Sequence, residues 1–231
     1  GSAIVGRMDS QIRGLTMGIR HAKDGQSLVD TQEGALQEVT AVLQRMRELA
    51  VQAGSGVATD TDKNYLQVEM GHLVDEIDAI SDSTKFNDQR VLTGATFSFY
   101  TDIDVAGTAV TTVAASAAAA TIGITKANVS IGAGTSTNAL LQAVITKVDS
   151  AIGSIASFRA NLGAVSNRFD HLIDGLTNVV ANTEASKSRI LDTDFSIETT
   201  QLTRNTVLQQ AATSMVAQAN VQKNAILALI G

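Results

Sequence analysis

From residue 141 to residue 183 the chain sets down an apolar side chain every three or four positions: Leu141, Val144, Val148, Ala151, Ile155, Phe158, Leu162, Val165, Phe169, Leu172, Leu176 and Val179, with Thr183 closing the series. Alternating steps of three and four average about 3.5 residues, so one face of a single helix stays turned to its partners as in a coiled-coil seam. At about 1.5 Å per residue such a helix is roughly 60 Å long, more than a small compact domain needs. A second stripe begins at Ile12 and runs through Leu15, Ile19, Ala22, Gln26 and Val29. It shifts phase once and continues through Gln32, Leu36, Val39, Leu43, Met46, Ala50 and Ala53, ending at Gly54-Ser55-Gly56. Asp60, Thr61 and Asp62 then offer N-caps to a shorter helix carrying Leu66, Met70, Leu73, Ile77 and Ile80. Three helices sharing one core are the expectation.

The helical period fails around residues 86 to 94. Between residues 97 and 105, Phe97, Phe99, Ile103 and Val105 alternate with Ser98, Thr101, Asp102 and Asp104 as in a strand. The stretch to residue 137 is rich in Ala, Thr, Val and Gly and reads as a small β-rich excursion, with short strands expected at residues 121 to 125 and 128 to 131. After the return helix, Asp192 and Asp194 resemble caps for a last helix from about Phe195 to Ile230. One side of that helix carries Leu208, Ala212, Met215, Ala219, Gln222, Ile226 and Leu229. No unpaired helix remains in the chain to receive this tail, which points to another subunit or a missing segment. The fold class is mainly α: an elongated antiparallel helical bundle with a small β-rich excursion and a long C-terminal helix.

Composition sharpens this picture. Of 231 residues 44% are apolar but only 3% aromatic, with no Trp, which suits a thin bundle better than a thick globular core or a ligand pocket. Proline is absent, so no ring interrupts a long helix. Without cysteine there is neither a disulfide nor a thiolate metal site, and stability must come from packing or assembly. A net charge of −6 argues against nucleic acid as a partner, because phosphate binding needs clustered Lys and Arg. No apolar run reaches the length of a membrane span, since Gln209, Gln210, Gln218, Asn220, Gln222, Lys223 and Asn224 interrupt the Ala-rich tail. No signal peptide is read. Gly1-Ser2 looks like a cloning scar, and the natural N-terminus is expected to have been removed.

Glu33-Gly34-Ala35-Leu36 followed by Leu43-Gln44-Arg45-Met46-Arg47-Glu48-Leu49-Ala50-Val51-Gln52-Ala53 resembles the conserved N-terminal block of bacterial flagellin. The resemblance recurs in order in Asp75-Glu76-Ile77-Asp78, Phe86-Asn87, Leu162-Gly163-Ala164-Val165 with Asn167-Arg168-Phe169, Ser188-Arg189-Ile190 with Asp192 and Asp194, Leu208-Gln209-Gln210 and Ala217-Gln218-Ala219-Asn220. It implies a secreted, extracellular filament subunit with a helical rod domain and an inner domain made by pairing the two chain ends. Residues 3–95 and 138–190 would form the rod, 96–137 the variable segment and 191–231 the C-terminal inner helix. The N-terminal mate of that helix is expected to be missing from this fragment, which predicts that the fragment alone forms no native filaments. The proline usual in the last family block is replaced within Val221-Gln222-Lys223-Asn224.

The bland reading of Arg45, Arg47 and Glu48 is a solvated helix face. The resemblance implies more: this block helps form protofilament contacts and is the surface read by the flagellin-sensing Toll-like receptor. Carried over by position, Arg45 and Leu49 are the central contacts and Glu76 a neighbouring one, with an exposed Leu beside Arg having the makings of a hot spot. Leu208, Met215, Ile226 and Leu229 are the assembly tail. The implied partners are other flagellin subunits, an export chaperone and the filament cap.

Other chemistry finds little anchor. Asp60-x-Asp62-x-Asn64 opens like a calcium loop, but Tyr65 stands where Gly is needed and Gly71 where a bidentate Glu is needed, so helix capping is the reading. His21, His72 and His171 have no metal-ligand spacing, and neither a nucleophile elbow nor a phosphate-binding loop is present. No cofactor, metal or catalytic site is assigned, and an enzyme is not expected. The leading function is a structural filament subunit serving motility. The alternatives are a cell-surface homologue that binds a polysaccharide, against which the scarcity of aromatic platforms counts, and a hook–filament junction protein.

Overall fold

The computed structural model describes residues 2–101, 109–112, 115–134 and 137–230, with side chains described from residue 3 to residue 223 within those limits. Three α-helices dominate: α1 (Ser2–Ala53), α2 (Asp60–Ser83) and α3 (Asn138–Ile230). Between α2 and α3 lie two antiparallel hairpins, β1 (Lys85–Phe86) with β2 (Gln89–Arg90) and β3 (Ser98–Tyr100) with β4 (Ala109–Thr111). Contacts divide the chain into two compact units, Gly14–Thr177 and a second formed by Gly1–Arg13 with Asn178–Gly231.

In the Gly14–Thr177 unit the three helices share one core. α1 contributes Leu36, Val39, Leu43, Met46 and Ala50, α2 Met70, Val74 and Ile77, and α3 Val148, Ile155, Leu162 and Phe169, all buried. The seam on α1 differs from the hydropathy pattern. It passes through buried Gly18 and Gly25 and not through half-buried Ile19 and Gln26. The steps 15, 18, 22, 25, 29, 32, 36 are therefore an unbroken alternation of three and four, and the apparent phase shift vanishes. Glycine carries no hydropathy signal, so a seam position filled by it is overlooked.

α2 starts one residue earlier than its expected caps. Thr59 is the N-cap: its hydroxyl accepts from the Asp62 amide at 3.2 Å, and the Asp62 carboxylate accepts from the Thr59 amide at 2.9 Å, a reciprocal capping box. Asp60, Thr61 and Asp62 lie inside the first turn, where the two carboxylates favour the positive end of the helix dipole. The β1–β2 turn takes Asn87 and Asp88 through left-handed backbone (φ 50° and 61°), the geometry that matches strand twist in a two-residue hairpin. The chain leaves this hairpin through buried Val91 and Leu92, whose carbonyls accept from Gln32 Nε2 of α1 (2.7 Å) and Ser81 Oγ of α2 (3.0 Å).

The central excursion is less β-rich than its composition suggests. The strand expected over residues 97 to 105 is confined to β3, and Ile103 and Val105 fall outside the described residues. The strands expected at residues 121 to 125 and 128 to 131 are turns. Local bonds close them, Ile124 N–H to the Ala119 carbonyl (2.8 Å) and Asn128 N–H to the Thr125 carbonyl (2.8 Å), while Gly123 takes a φ of 81°. Their apolar residues, Ile122, Ile124, Val129 and Ile131, are buried, so burial and not pairing produced the hydrophobic pattern. α2 holds this segment through one polar stripe. Asn64 Oδ1 accepts from Ala133 N–H, Gln67 Oε1 from the Ile131 and Gly132 amides, and Asp78 Oδ1 from Ala119 N–H, while Asp75 pairs with Lys126.

The tail is part of α3 and not a separate helix. α3 runs from Asn138 to Ile230 without interruption, so Asp192 and Asp194 are interior residues and not caps of a new helix. Neither proline nor glycine occurs between Gly175 and Gly231, and the backbone has no local reason to stop.

Candidate assembly and recognition surfaces

Away from the seam, α1 turns Arg45 and Arg47 outward on opposite sides, each toward a neighbouring helix. Arg45 Nε donates to Glu69 Oε1 of α2 at 2.9 Å and its Nη1 to Glu48 Oε2 at 3.1 Å. These bonds, Glu69 first and Glu48 second, raise the guanidinium pKa above its ordinary value. Arg47 Nε donates to Asp149 Oδ1 of α3 at 2.8 Å. Both pairs are about half exposed, where solvent screening leaves an ion pair with little net stabilisation. They orient the face more than they stabilise it.

The sequence-predicted trio does not come together as one surface. Arg45 is exposed and Glu76 is exposed on α2, but the α2 partner of Arg45 is Glu69, two helical turns before Glu76. Leu49 is corrected outright. It is 0% exposed and belongs to the core, so it is not the exposed half of a hot spot. α1 packs against helices on two sides here, as the Arg45 and Arg47 partners show, and that widens its buried arc to include Leu43, Met46, Leu49, Ala50 and Ala53. Glu69 carried no signal of its own in the sequence. Nor did the Arg159–Glu33 pair (2.7 Å) linking α3 to α1, whose partners are 126 residues apart.

In the other unit, Lys187 of α3 donates to Asp9 of α1, and this bond holds the Asp9 carboxyl below the usual carboxylate range. From residue 191 to residue 223 every residue of α3 is exposed. The apolar ones do not form a single stripe. Leu208 and Met215 share one side, as expected, but Phe195 (75% exposed) and Leu202, also seven residues apart, lie roughly a third of a turn away from it. Ile226 and Leu229 lie in the helix, with side chains outside those described. A helix that is apolar on more than one side is suited to burial among several neighbours. The hydroxyls of Thr199, Thr200, Thr203, Thr206 and Thr213 each donate to the carbonyl four residues earlier, so they spend their donors on the helix itself.

The residues weighed for other chemistry have structural partners. Asp62 is in the capping box and Asn64 holds Ala133 N–H. His21 Nδ1 lies 2.9 Å from the Tyr100 carbonyl. Among the described residues no group of three or more His, Cys, Asp or Glu lies close enough to hold a metal ion. Contrary to the reading of apolar runs, α3 contains a stretch long and apolar enough to cross a membrane by length and composition, with mean hydropathy 1.3. The buried core seam of this same helix is a sufficient source of that apolar content.

Comparison with known proteins follows the two ends of this arrangement. Residues 1–96 match the bacterial flagellin N-terminal helical region and residues 145–230 the bacterial flagellin C-terminal helical region. A flagellin of Halalkalibacterium halodurans is 39% identical over 240 residues, covering all of this chain and 84% of that protein. A flagellin of Bacillus subtilis is 39% identical over 264 residues, with 100% and 85% covered. A flagellar filament core protein of Brachyspira hyodysenteriae is 36% identical over 247 residues, with 100% and 84% covered. Among solved structures, Bacillus cereus flagellin superposes with a TM-score of 0.56 at 32% identity, covering 71% of this chain and 94% of that one. A putative flagellar hook-associated protein of Vibrio parahaemolyticus gives a TM-score of 0.69 at 12% identity, covering 80% and 95%, a likeness of fold alone.

Proposed function

The chain belongs to the bacterial flagellin family, and from that premise we propose that it is a structural subunit of a flagellar filament, joined to other copies by helix–helix packing and serving motility. The observation that carries this reading is the α3 tail, where an apolar helix keeps every described residue from 191 to 223 open to solvent. Burying Phe195 and Leu202 on one side and Leu208 and Met215 on another gains roughly 1.5 to 3 kcal/mol per large side chain. A contact between two different patches does not close on itself, and repeating it generates a helical filament.

On this reading residues 3–95 and 138–190 are the rod, 96–137 the variable segment, and 191–231 the inner helix, including Ile226 and Leu229. The subunit is secreted and works outside the cell, with an export chaperone and the filament cap as transient partners. The candidate contacts for a neighbouring protofilament or a Toll-like receptor are Arg45 with its partner Glu69 and, two turns along α2, Glu76, with Leu49 in the core of α1. The polysaccharide-binding alternative draws no support from relatives named as flagellins and filament core proteins.

The test is genetic. Expression in a flagellin-null bacterium of a full-length flagellin gene carrying these residues is expected to restore filaments visible by electron microscopy. Leu208→Glu with Met215→Glu is expected to abolish them while leaving the melting of the Gly14–Thr177 unit unchanged. Normal filaments from the double variant would overturn the assignment of the tail.

A further inference from the structure

The seam of α1 consists of two columns of residues seven apart. One column, Leu15, Ala22, Val29, Leu36, Leu43 and Ala50, is apolar and buried throughout. The other, 18, 25, 32, 39, 46 and 53, reads Gly, Gly, Gln, Val, Met, Ala and is buried at every position. Its first three members break the apolar rule in consecutive heptads, and each meets a different element. A Cβ at Gly18 would overlap the Thr101 carbonyl at the end of β3, and one at Gly25 would overlap the ring of Phe169 from α3. Gln32 donates to the Val91 carbonyl beyond β2, while its own Oε1 is buried without a hydrogen-bond partner.

An orphaned buried acceptor is a cost; an apolar residue at position 32 would remove one orphan, Gln32 Oε1, and create another, the Val91 carbonyl, so in the native register the exchange is close to neutral. α3 buries a seven-residue repeat of its own in this core, Val148, Ile155, Leu162 and Phe169, and its Phe169 meets the second column at Gly25. Sliding α1 by seven residues against it returns apolar side chains to apolar side chains nearly everywhere, so the columns alone leave the register degenerate. The exceptions remove the degeneracy. A slide in one direction drives Gln32 into the place of Gly25 beneath Phe169 and sets Val39 against the Val91 carbonyl. A slide in the other puts Gly25 at that carbonyl and buries Gln32 where Val39 was. Either way a buried carbonyl loses its donor, and a buried polar residue at a seam position is the best-attested device for fixing register.

We propose that Gly18, Gly25 and Gln32 form a register key, a conformational device that holds α1 in one axial alignment with α3 and with the exit from the β1–β2 hairpin. Gln32 serves alignment and not net stability. This inference rests on the packing of the Gly14–Thr177 unit and is independent of filament assembly.

The chain has no cysteine, so introduced pairs report register directly. Arg47→Cys with Asp149→Cys reports the native alignment, since these side chains face each other. Arg47→Cys with Ala156→Cys, or with Gln142→Cys, reports a slide of one heptad either way. With a short bismaleimide, the otherwise unaltered chain is expected to cross-link only at 47–149. Gly25→Ala with Gln32→Leu, which makes the key apolar and pushes a Cβ into the ring of Phe169 in the native register, is expected to raise a slipped-register product by about tenfold or more. Gln32→Met alone guards against a misfolded double variant: it is expected to melt within a few degrees of the parent and still raise the slipped product. A variant that cross-links only at 47–149 would overturn the proposal. So would a Gln32→Met variant that loses stability like an emptied core without any slipped product, since Gln32 would then be an ordinary stabilising contact.

Discussion

Phe169 concentrates the packing of the Gly14–Thr177 unit in one side chain. It is fully buried, meets Phe99 edge to face with ring centroids 5.7 Å apart, and fills the notch that Gly25 leaves on α1. Its burial was legible in the sequence because it continues the seam of α3. The notch that receives it was not, because hydropathy registers what a side chain contributes and is silent where the contribution is space. Leu49 failed for a related reason: it lies one position from the ideal seam, and only two flanking helices make that position interior. Phe169→Ala is expected to destabilise the unit by about 3 to 5 kcal/mol, the range for emptying a large aromatic site, read as a fall in thermal midpoint. A shift no larger than that of exposed Leu140→Ala would refute the packing role.

The helices were legible because their apolar period extends over many turns; their ends depended on single residues. α2 shows the difference. Thr59, Asp60, Thr61 and Asp62 are all residues that cap, and only geometry distinguishes Thr59 at the cap from Asp62 closing the box. The turns of residues 119 to 131 escaped for the opposite reason, since buried aliphatic residues alternate in them as they would in a strand, while their amides are satisfied by Gln67 and by local bonds. The box makes the start of α2 acid-sensitive. Bonds from the Thr59 side chain, and then its amide, lower the Asp62 pKa from an ordinary 3.8. A carboxyl depressed in the folded state contributes stability that is present above the unfolded pKa and is lost as pH falls through the folded value. Hydrogen exchange at the first-turn amides of α2 should therefore accelerate below about pH 4 relative to mid-helix amides. Asp62→Asn should already show the faster exchange at neutral pH and lose the acid step. An unchanged acid step in that variant would move the effect to another carboxyl.

For the molecule as a whole, the question is which force would bring copies together. Each chain carries 23 acidic and 17 basic residues, a net charge of −6, so approaching copies repel one another. The tail from residue 191 to residue 223 exposes apolar groups on more than one side, and their burial supplies the attraction. Salt separates the two contributions. It shortens the screening length from about 10 Å at 0.1 M to about 3 Å at 1 M and so removes the repulsion, while sulfate strengthens apolar burial by its exclusion from the surface. Ion pairs across the contact would weaken over the same range. Association measured by light scattering is therefore expected to rise steadily with ammonium sulfate, and Phe195→Ser with Leu202→Ser is expected to flatten the rise although the net charge is unchanged. Association that instead falls with salt in the unaltered chain would transfer the contact energy from the apolar tail to charged faces such as that of Arg45 and Glu69.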